Sequence, residues 1–160
     1  MTRGEKPMDE ILREHRFLAG VSPGTIALLS EHASLVRFDA GTLLFREGED
    51  AGTIFLITRG RVAIEIHAPP LGPIVIDTVD PGHVVGLSWV AAPFRWQFDA
   101  RALEPVEAVA VDTQHLREGL AVHLDASAEL HQRLSAVLLE RLQATRIRLL
   151  DLYANASAGH

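Results

Sequence analysis

The sequence predicts an α+β fold, in which a small β-roll, sandwich or barrel lies between short N-terminal helices and a long C-terminal helix. Three observations predict it. Residues 8–33 carry apolar side chains at helical spacing, residues 34–112 hold short runs of β-forming residues, and residues 113–153 return to helical spacing. The chain has 160 residues, 48% of them hydrophobic, which is enough for one buried core, so we treat 1–160 as a single domain.

The N-terminal segment, residues 8–33, predicts two short helices. Met8, Ile11 and Leu12 recur at helical spacing, and the first helix ends near Ala19-Gly20. Ser22 before Pro23 predicts the N-cap of the second helix, because serine accepts a backbone hydrogen bond there and proline suits the first helical turn.

The middle of the chain, residues 34–112, predicts eight short strands. Glycine or proline occupies almost every gap between the runs, as turns require. From Arg61 to His67 apolar and polar residues alternate, which predicts that Val62, Ile64 and Ile66 face the core. The predicted strands are residues 34–38, 42–45, 53–58, 61–67, 74–79, 83–86, 96–102 and 106–112.

The C-terminal segment predicts a short helix after Asp112, its N-cap, and a long helix from Ser127 to about Tyr153, followed by a frayed tail at 154–160. Apolar residues on the long helix follow a heptad-like spacing, which predicts a homodimer; the alternative is that every apolar face packs on the chain's own β-roll. The arginines of this helix, Arg133, Arg141, Arg146 and Arg148, are predicted to form a solvated or interhelical charged face. The predicted dimer seam consists of Leu138, Leu142, Thr145, Leu149 and Leu152.

Composition excludes several classes of function. With 15 basic and 21 acidic residues the net charge is −6, so broad attraction to nucleic acid or to anionic membranes is not expected. The chain contains no cysteine, which removes disulfides and thiolate chemistry. It also has no signal peptide and no long apolar run, so we expect a cytoplasmic protein.

The sequence contains few of the motifs that indicate an enzyme. A cupin-like metal site needs paired histidines, but the histidines among the predicted strands and their flanks, His67, His83 and His115, are isolated, so we expect no metal. No nucleophile elbow, Walker-type loop or dinucleotide fingerprint occurs. We therefore expect that the protein is not an enzyme and carries no cofactor.

An ordered set of motifs resembles the cyclic nucleotide-binding domain of the catabolite activator protein and Fnr (Crp/Fnr) family. The resemblance implies a double-stranded β-helix, also called a β-roll or jelly roll, flanked by N-terminal helices and a long C-terminal dimerisation helix. The helix-turn-helix domain of the family's transcription factors would begin where this chain ends, so no direct DNA binding is expected. The motifs are FLAG at 17–20, FDAGTLLFREGE at 38–49, FLITRGRV at 55–62, Pro81-Gly82, Gly86, Arg101-Ala102 and RLQAT at 141–145.

The resemblance also implies a ligand site between Gly86 and Gln97, with Thr145 contributing from the long helix. Members of the family typically carry a glutamate after the glycine for the ribose and an arginine for the cyclic phosphate. Leu87 and Trp96 stand at those two positions, and Arg95 comes one residue early. Because strand side chains alternate, Trp96 inward means Arg95 outward, unless a one-residue bulge returns Arg95 to the inner face. The predicted ligand-binding residues are Gly86, Leu87, Ser88, Arg95, Trp96, Gln97 and Thr145.

These residues leave several functions open. The first is a non-enzymatic sensor that binds cAMP, cGMP or another small ligand and signals through a homodimer. The second is a degenerate module in which Trp96 and Leu87 fill the pocket and the protein serves in dimerisation or protein interaction. A third is binding of a planar, less charged molecule stacked on Trp96. A cupin-like enzyme is the remaining alternative.

Overall fold

The computed structural model describes residues 6–87 and 94–158. The chain begins with helix α1 (Met8–Glu14), a single 3-10 turn (Arg16–Leu18) and helix α2 (Pro23–Glu31). Eight strands follow within the described residues, and two helices, α3 (Thr113–Val122) and α4 (Leu124–Ala158), end the chain. The strands are β1 (Ala33–Phe38), β2 (Leu43–Phe45), β3 (Thr53–Arg59), β4 (Val62–Ala68), β5 (Gly72–Val79), β6 (Val84–Val85), β7 (Asp99–Ala102) and β8 (Val106–Asp112).

The strands form two antiparallel sheets of four strands each, in the orders β1-β8-β3-β6 and β2-β7-β4-β5. Between them lies a core in which Phe45 and Phe55 meet with their ring centroids 6.3 Å apart, and Phe38 packs edge-on against Phe55. This is the α+β jelly roll that the sequence predicts, and each predicted strand is present within a few residues of its expected bounds.

The helices cover the first sheet from outside. Leu18 of the 3-10 turn and Leu29 of α2 lie in one apolar cluster with side chains of β3. The β3 residues are Ile54 and Leu56, and Leu130 of α4 belongs to the same cluster. All five side chains are almost fully buried, so the sheet has a second apolar layer beneath the helices. None of the helices in the described ranges is both long and apolar enough to span a membrane.

One predicted core residue of β4 is exposed. Val62 and Ile64 are buried as expected, but Ile66 is 38% exposed, because β7 pairs with β4 only from Val62 to Glu65. Beyond that point β5 is the only strand among residues 6–87 and 94–158 that pairs with β4. Glu65, one of the polar residues in this alternating run, is nevertheless buried, and the Arg101 Nε atom donates a 2.8 Å hydrogen bond to its carboxylate.

The predicted helix ends need two corrections. Ser22 stands at the N-cap of α2, but its hydroxyl donates to the Glu129 carboxylate at 2.5 Å and leaves the helix uncapped by its side chain. Helix α4 begins at Leu124, three residues before the predicted start, and continues to Ala158, so the tail is helical rather than frayed as far as the described residues reach. The predicted N-cap Asp112 is confirmed, since its carboxylate accepts from the Gln114 and His115 amides.

Candidate functional site

The predicted ligand site lies where β6 ends inside the roll. Gly86 follows β6 with φ +105°, a conformation that residues other than glycine rarely adopt. Leu87, which stands where members of the family typically carry a glutamate for the ribose, is 7% exposed and belongs to the apolar core. Ser88 and Trp89 lie outside the described residues.

Trp96 occupies the space directly above Gly86. Its indole is 3% exposed and stacks on the Phe45 ring, with centroids 3.8 Å apart and planes 13° from parallel. A Cβ atom added at Gly86 would lie 2.7 Å from the Cη2 atom of Trp96 and 3.0 Å from the Thr53 carbonyl oxygen. The glycine therefore allows the indole to lie against the backbone of the roll.

Arg95 points away from Gly86, as the strand alternation predicts. Its side chain is 56% exposed, and Nη1 donates to the Gly48 carbonyl at 2.9 Å and lies 3.5 Å from the Asp50 carboxylate. The Trp96 amide donates to the Glu49 carbonyl at 2.9 Å. This pairing fixes the alternation, so the bulge that would turn Arg95 inward does not occur.

The backbone is irregular at Phe94, just before Arg95. Phe94 has φ +56°, and its ring receives the Arg117 guanidinium at 4.2 Å from the centroid. Gln97 is exposed, with Nε2 donating to the Arg95 carbonyl at 3.1 Å. Of the predicted residues, the structure thus brings Gly86, Leu87 and Trp96 together, and it leaves Arg95 and Gln97 outside.

Thr145 lies on an exposed part of α4 and donates its hydroxyl to the Arg141 carbonyl one turn earlier, at 2.8 Å. It borders a cavity of about 160 Å³ between α4 and the end of β5, which Arg141, Arg148 and Thr78 also line. A cavity of this size is smaller than the ~300 Å³ typical of small-molecule sites.

Three arginines hold the long helix to the rest of the fold, which corrects the prediction of a solvated or interhelical face. Arg133 donates to the Ala19 carbonyl and Arg141 to the Val84 carbonyl of β6. Arg148 donates to the Ile76 carbonyl at 2.6 Å and to the Asp77 carboxylate at 2.9 Å. Burial lowers the pKa of Arg141 below its usual value, an effect that the charge of Asp77 partly offsets.

The sequence carried a signal for this contact. Positions 133, 141 and 148 are spaced by 8 and 7 residues, which puts them on one side of a helix, next to buried Leu130 and Leu134. Arg146, the fourth arginine of the predicted face, is exposed.

The predicted dimer seam is uncovered in the single chain. Leu142 is 46% exposed and Leu152 is 66% exposed, and Leu138 and Leu149 fall between these values. The stripe lies beside the roll-facing side of α4, so packing on the chain's own roll does not bury it.

The chain is similar to known proteins in both sequence and fold. The family model described as "cyclic nucleotide-binding domain" matches residues 35–123. The CRP-like cAMP-activated global transcriptional regulator of Mycobacterium tuberculosis is 31% identical over 145 residues, which cover 91% of this chain and 63% of that protein. The chain therefore spans less than two thirds of the curated relative's length.

Two further similar proteins match different fractions of this chain. A structure described as a putative cyclic nucleotide-binding protein from Geobacter metallireducens superimposes with a TM-score of 0.76 at 25% identity, over 87% of this chain and 99% of that one. The acetyltransferase Pat of Mycolicibacterium smegmatis is 31% identical over only 70 residues, which cover 44% of this chain and 21% of that protein.

Proposed function

The chain belongs to the family of cyclic nucleotide-binding domains, and we propose that it is a cytoplasmic, non-enzymatic regulatory module that acts as a homodimer with its roll pocket closed. The observation that carries the proposal is the Trp96 indole lying on Gly86 and stacked on Phe45, where the family resemblance predicts the ligand. In this proposal the fold serves in dimerisation and protein interaction.

The closed pocket is matched by missing polar groups. Leu87 offers no acceptor for a ribose hydroxyl, and the Arg95 guanidinium is held outside by the Gly48 carbonyl. A charge-assisted hydrogen bond contributes about 1.5–3 kcal/mol, so losing two such contacts lowers affinity by roughly a hundredfold or more. Cyclic nucleotide would also have to displace a buried indole.

Calorimetric titration with cAMP and with cGMP tests the closed pocket. We expect no saturable heat for the unmodified protein at about millimolar nucleotide. A Trp96→Ala variant opens the space above Gly86 and serves as the comparison. Saturable binding in the micromolar range by the unmodified protein would contradict the proposal.

The homodimer is supported by the uncovered seam on α4. Leu138, Leu142, Leu149 and Leu152 each expose between 46% and 66% of their area in an ordered helix of 35 residues. Apolar side chains repeating at heptad spacing are stabilised when a second helix buries them, and the relative at 31% identity is a transcriptional regulator. A second copy of this chain supplies the same stripe.

Sedimentation equilibrium tests the dimer. We expect twice the 17.5 kDa chain mass for the unmodified protein, and the monomer mass for Leu142→Glu, because a carboxylate in the seam has no partner there. The matched control is Ala136→Glu, which adds the same charge at an exposed position on the opposite side of α4. A monomer at all concentrations, or equal loss in both variants, would contradict the seam.

A ligand sensor is the second candidate, because Thr145 borders the cavity between α4 and β5 beside a buried guanidinium of Arg141. In this alternative a cAMP-like ligand, or a less charged planar one, enters from the helix side and moves Trp96. Thr145→Ala would then weaken binding several-fold in the same titrations, whereas it changes nothing if the pocket stays closed.

A further inference from the structure

A second concave surface, whose lining does not include Gly86, lies between α1 with its 3-10 turn and the outer face of the β1-β8-β3 sheet. We call it the basic groove, and its volume is about 620 Å³. The apolar residues Ile11, Leu35 and Pro81 form part of its wall. Its charged lining consists of Lys6, Arg16, Arg37, Arg59, Glu14 and Glu107, with His15 at its edge.

The groove has more positive than negative charge. Four cationic side chains face two carboxylates, which leaves an excess of two positive charges in a protein whose net charge is −6. Lys6 pairs with Glu14 at 2.7 Å, so these two charges neutralise each other. The excess therefore comes from the three arginines set against the single remaining carboxylate.

Strand register brings two of those arginines to either side of Glu107. Arg37 on β1 and Arg59 on β3 are both cross-strand partners of Glu107 on β8. The carboxylate lies 3.4 Å from the Arg37 Nε atom. Within the described ranges the Arg59 guanidinium has no hydrogen bond or ion pair, and one carboxylate does not neutralise two guanidinium groups.

Arg16 supplies the third guanidinium from the opposite wall. Its aliphatic stem lies over Gly82, with Cβ 3.4 Å and Cδ 3.6 Å from the position of an added glycine Cβ. Arg16 thus lines the groove, and in the part of the chain that the structure describes its guanidinium also lacks a hydrogen bond or an ion pair. Two guanidinium groups on facing walls are thus available to an anion.

We propose that the basic groove binds a small organic molecule bearing a phosphate group. A phosphate monoester carries a charge of about −1.5 to −2 at neutral pH, which matches the excess of two. Guanidinium groups bind phosphate oxygens in pairs of parallel hydrogen bonds, and the apolar wall accommodates the organic part. The volume falls within the ~300–1,000 Å³ of small-molecule sites, and the site is independent of the roll pocket.

Titration of the ¹⁵N-labelled protein with phenyl phosphate, in buffer free of phosphate, tests the proposal. We expect saturable amide shifts at Thr58, Gly82 and Glu107 with a Kd of about 1 mM or tighter, and none at Thr145. Inorganic phosphate should shift the same amides with weaker affinity, because it lacks the apolar part. Arg16→Gln and Arg59→Gln, which keep the aliphatic stem, should each weaken binding about five- to tenfold.

The matched control is Arg46→Gln, an exposed arginine outside the groove, which should leave the affinity unchanged within about twofold. Shifts that do not saturate by about 10 mM phenyl phosphate would overturn the proposal. So would shifts centred on Gly86 and Thr145, or an equal loss of affinity in Arg46→Gln, because each would show that the groove arginines do not form the site.

Discussion

The contact between Gly86 and Trp96 makes a quantitative prediction for a double-mutant cycle. Gly86→Ala places a methyl group 2.7 Å from the indole and imposes φ +105° on an alanine. Overpacking costs about 1–3 kcal/mol and a left-handed backbone about 1–2 kcal/mol, so the variant should lose roughly 2–5 kcal/mol of unfolding free energy. Trp96→Ala alone removes a buried indole, which costs about 3–5 kcal/mol.

The two substitutions should not be additive. Two of the three atoms nearest to the added methyl group belong to the indole, and the third is the Thr53 carbonyl oxygen at 3.0 Å, so without the indole the steric part of the cost should largely disappear. The cost of Gly86→Ala should then fall by about 1–3 kcal/mol in the Trp96→Ala background. Urea unfolding followed by far-UV circular dichroism measures all four proteins.

The Gly41→Ala variant distinguishes the cost of backbone strain from the cost of a steric clash in the same assay. Gly41 has φ +87°, and no atom of the residues that the structure describes comes within 4 Å of an added Cβ, so this variant should cost only the backbone strain. Its cost should also be the same with and without Trp96, since the two sites share no contact. Additive costs for Gly86→Ala and Trp96→Ala would refute the argument that the indole occupies the space above Gly86.

Three further predictions concern pH, a helix cap and a turn. Burial lowers the pKa of the His15 imidazole below its usual 6.5, so the folded protein binds a proton at His15 less readily than the unfolded chain does. The contribution of neutral His15 to the free energy of unfolding is therefore complete above its usual pKa and is lost as the pH falls through the lowered pKa. His15→Gln should therefore reduce the drop in urea midpoint between about pH 7 and about pH 5. Asp112→Ala should cost about 0.5–2 kcal/mol by thermal unfolding, whereas Asp112→Asn, which keeps a capping oxygen, should cost much less. Gly60→Ala should be more harmful than Gly41→Ala, because its Cβ would lie 2.3 Å from the Pro105 carbonyl oxygen and backbone cannot yield cheaply; equal urea midpoints would contradict this.

Local patterns predicted most of the fold because runs of β-forming residues mark the strands and glycine or proline marks the turns between them. Val62 and Ile64 face the core as their spacing requires, but the exposure of Ile66 depends on where β7 ends, which is a property of a different segment. Ser22 has the chemistry of an N-cap, yet a carboxylate 107 residues away competes for its hydroxyl. Such errors arise wherever a distant partner decides between two local possibilities.

In the candidate site too, local pattern predicted some features, and contacts between distant residues determined others. Period-two alternation predicted only that Arg95 lies outside if Trp96 lies inside, and it left open a bulge that would return Arg95 to the inner face. In the structure Trp96 is buried and the Arg95 side chain is exposed. The role of Arg141 was missed, because the spacing of the arginines indicates a shared side of the helix but its acceptor, a backbone carbonyl, cannot be recognised from residue type. The basic groove was also missed, since Arg16, Arg37 and Arg59 are scattered along the chain. Sheet register brings Arg37 and Arg59 together, and the 3-10 turn adds Arg16.

The anchoring of α4 by Arg148 has a consequence for solubility. β5 is an edge strand of its sheet, and the exposed apolar side chains of Leu71 and Val75 lie at or beside it, so its free side could add strands from other molecules. Two features oppose such aggregation. The pairing of β5 with β4 skips Ile76, a bulge that disturbs the regular ladder, and the Arg148 guanidinium occupies the Ile76 carbonyl. The long helix thus protects the sheet edge beside it against intermolecular strand addition.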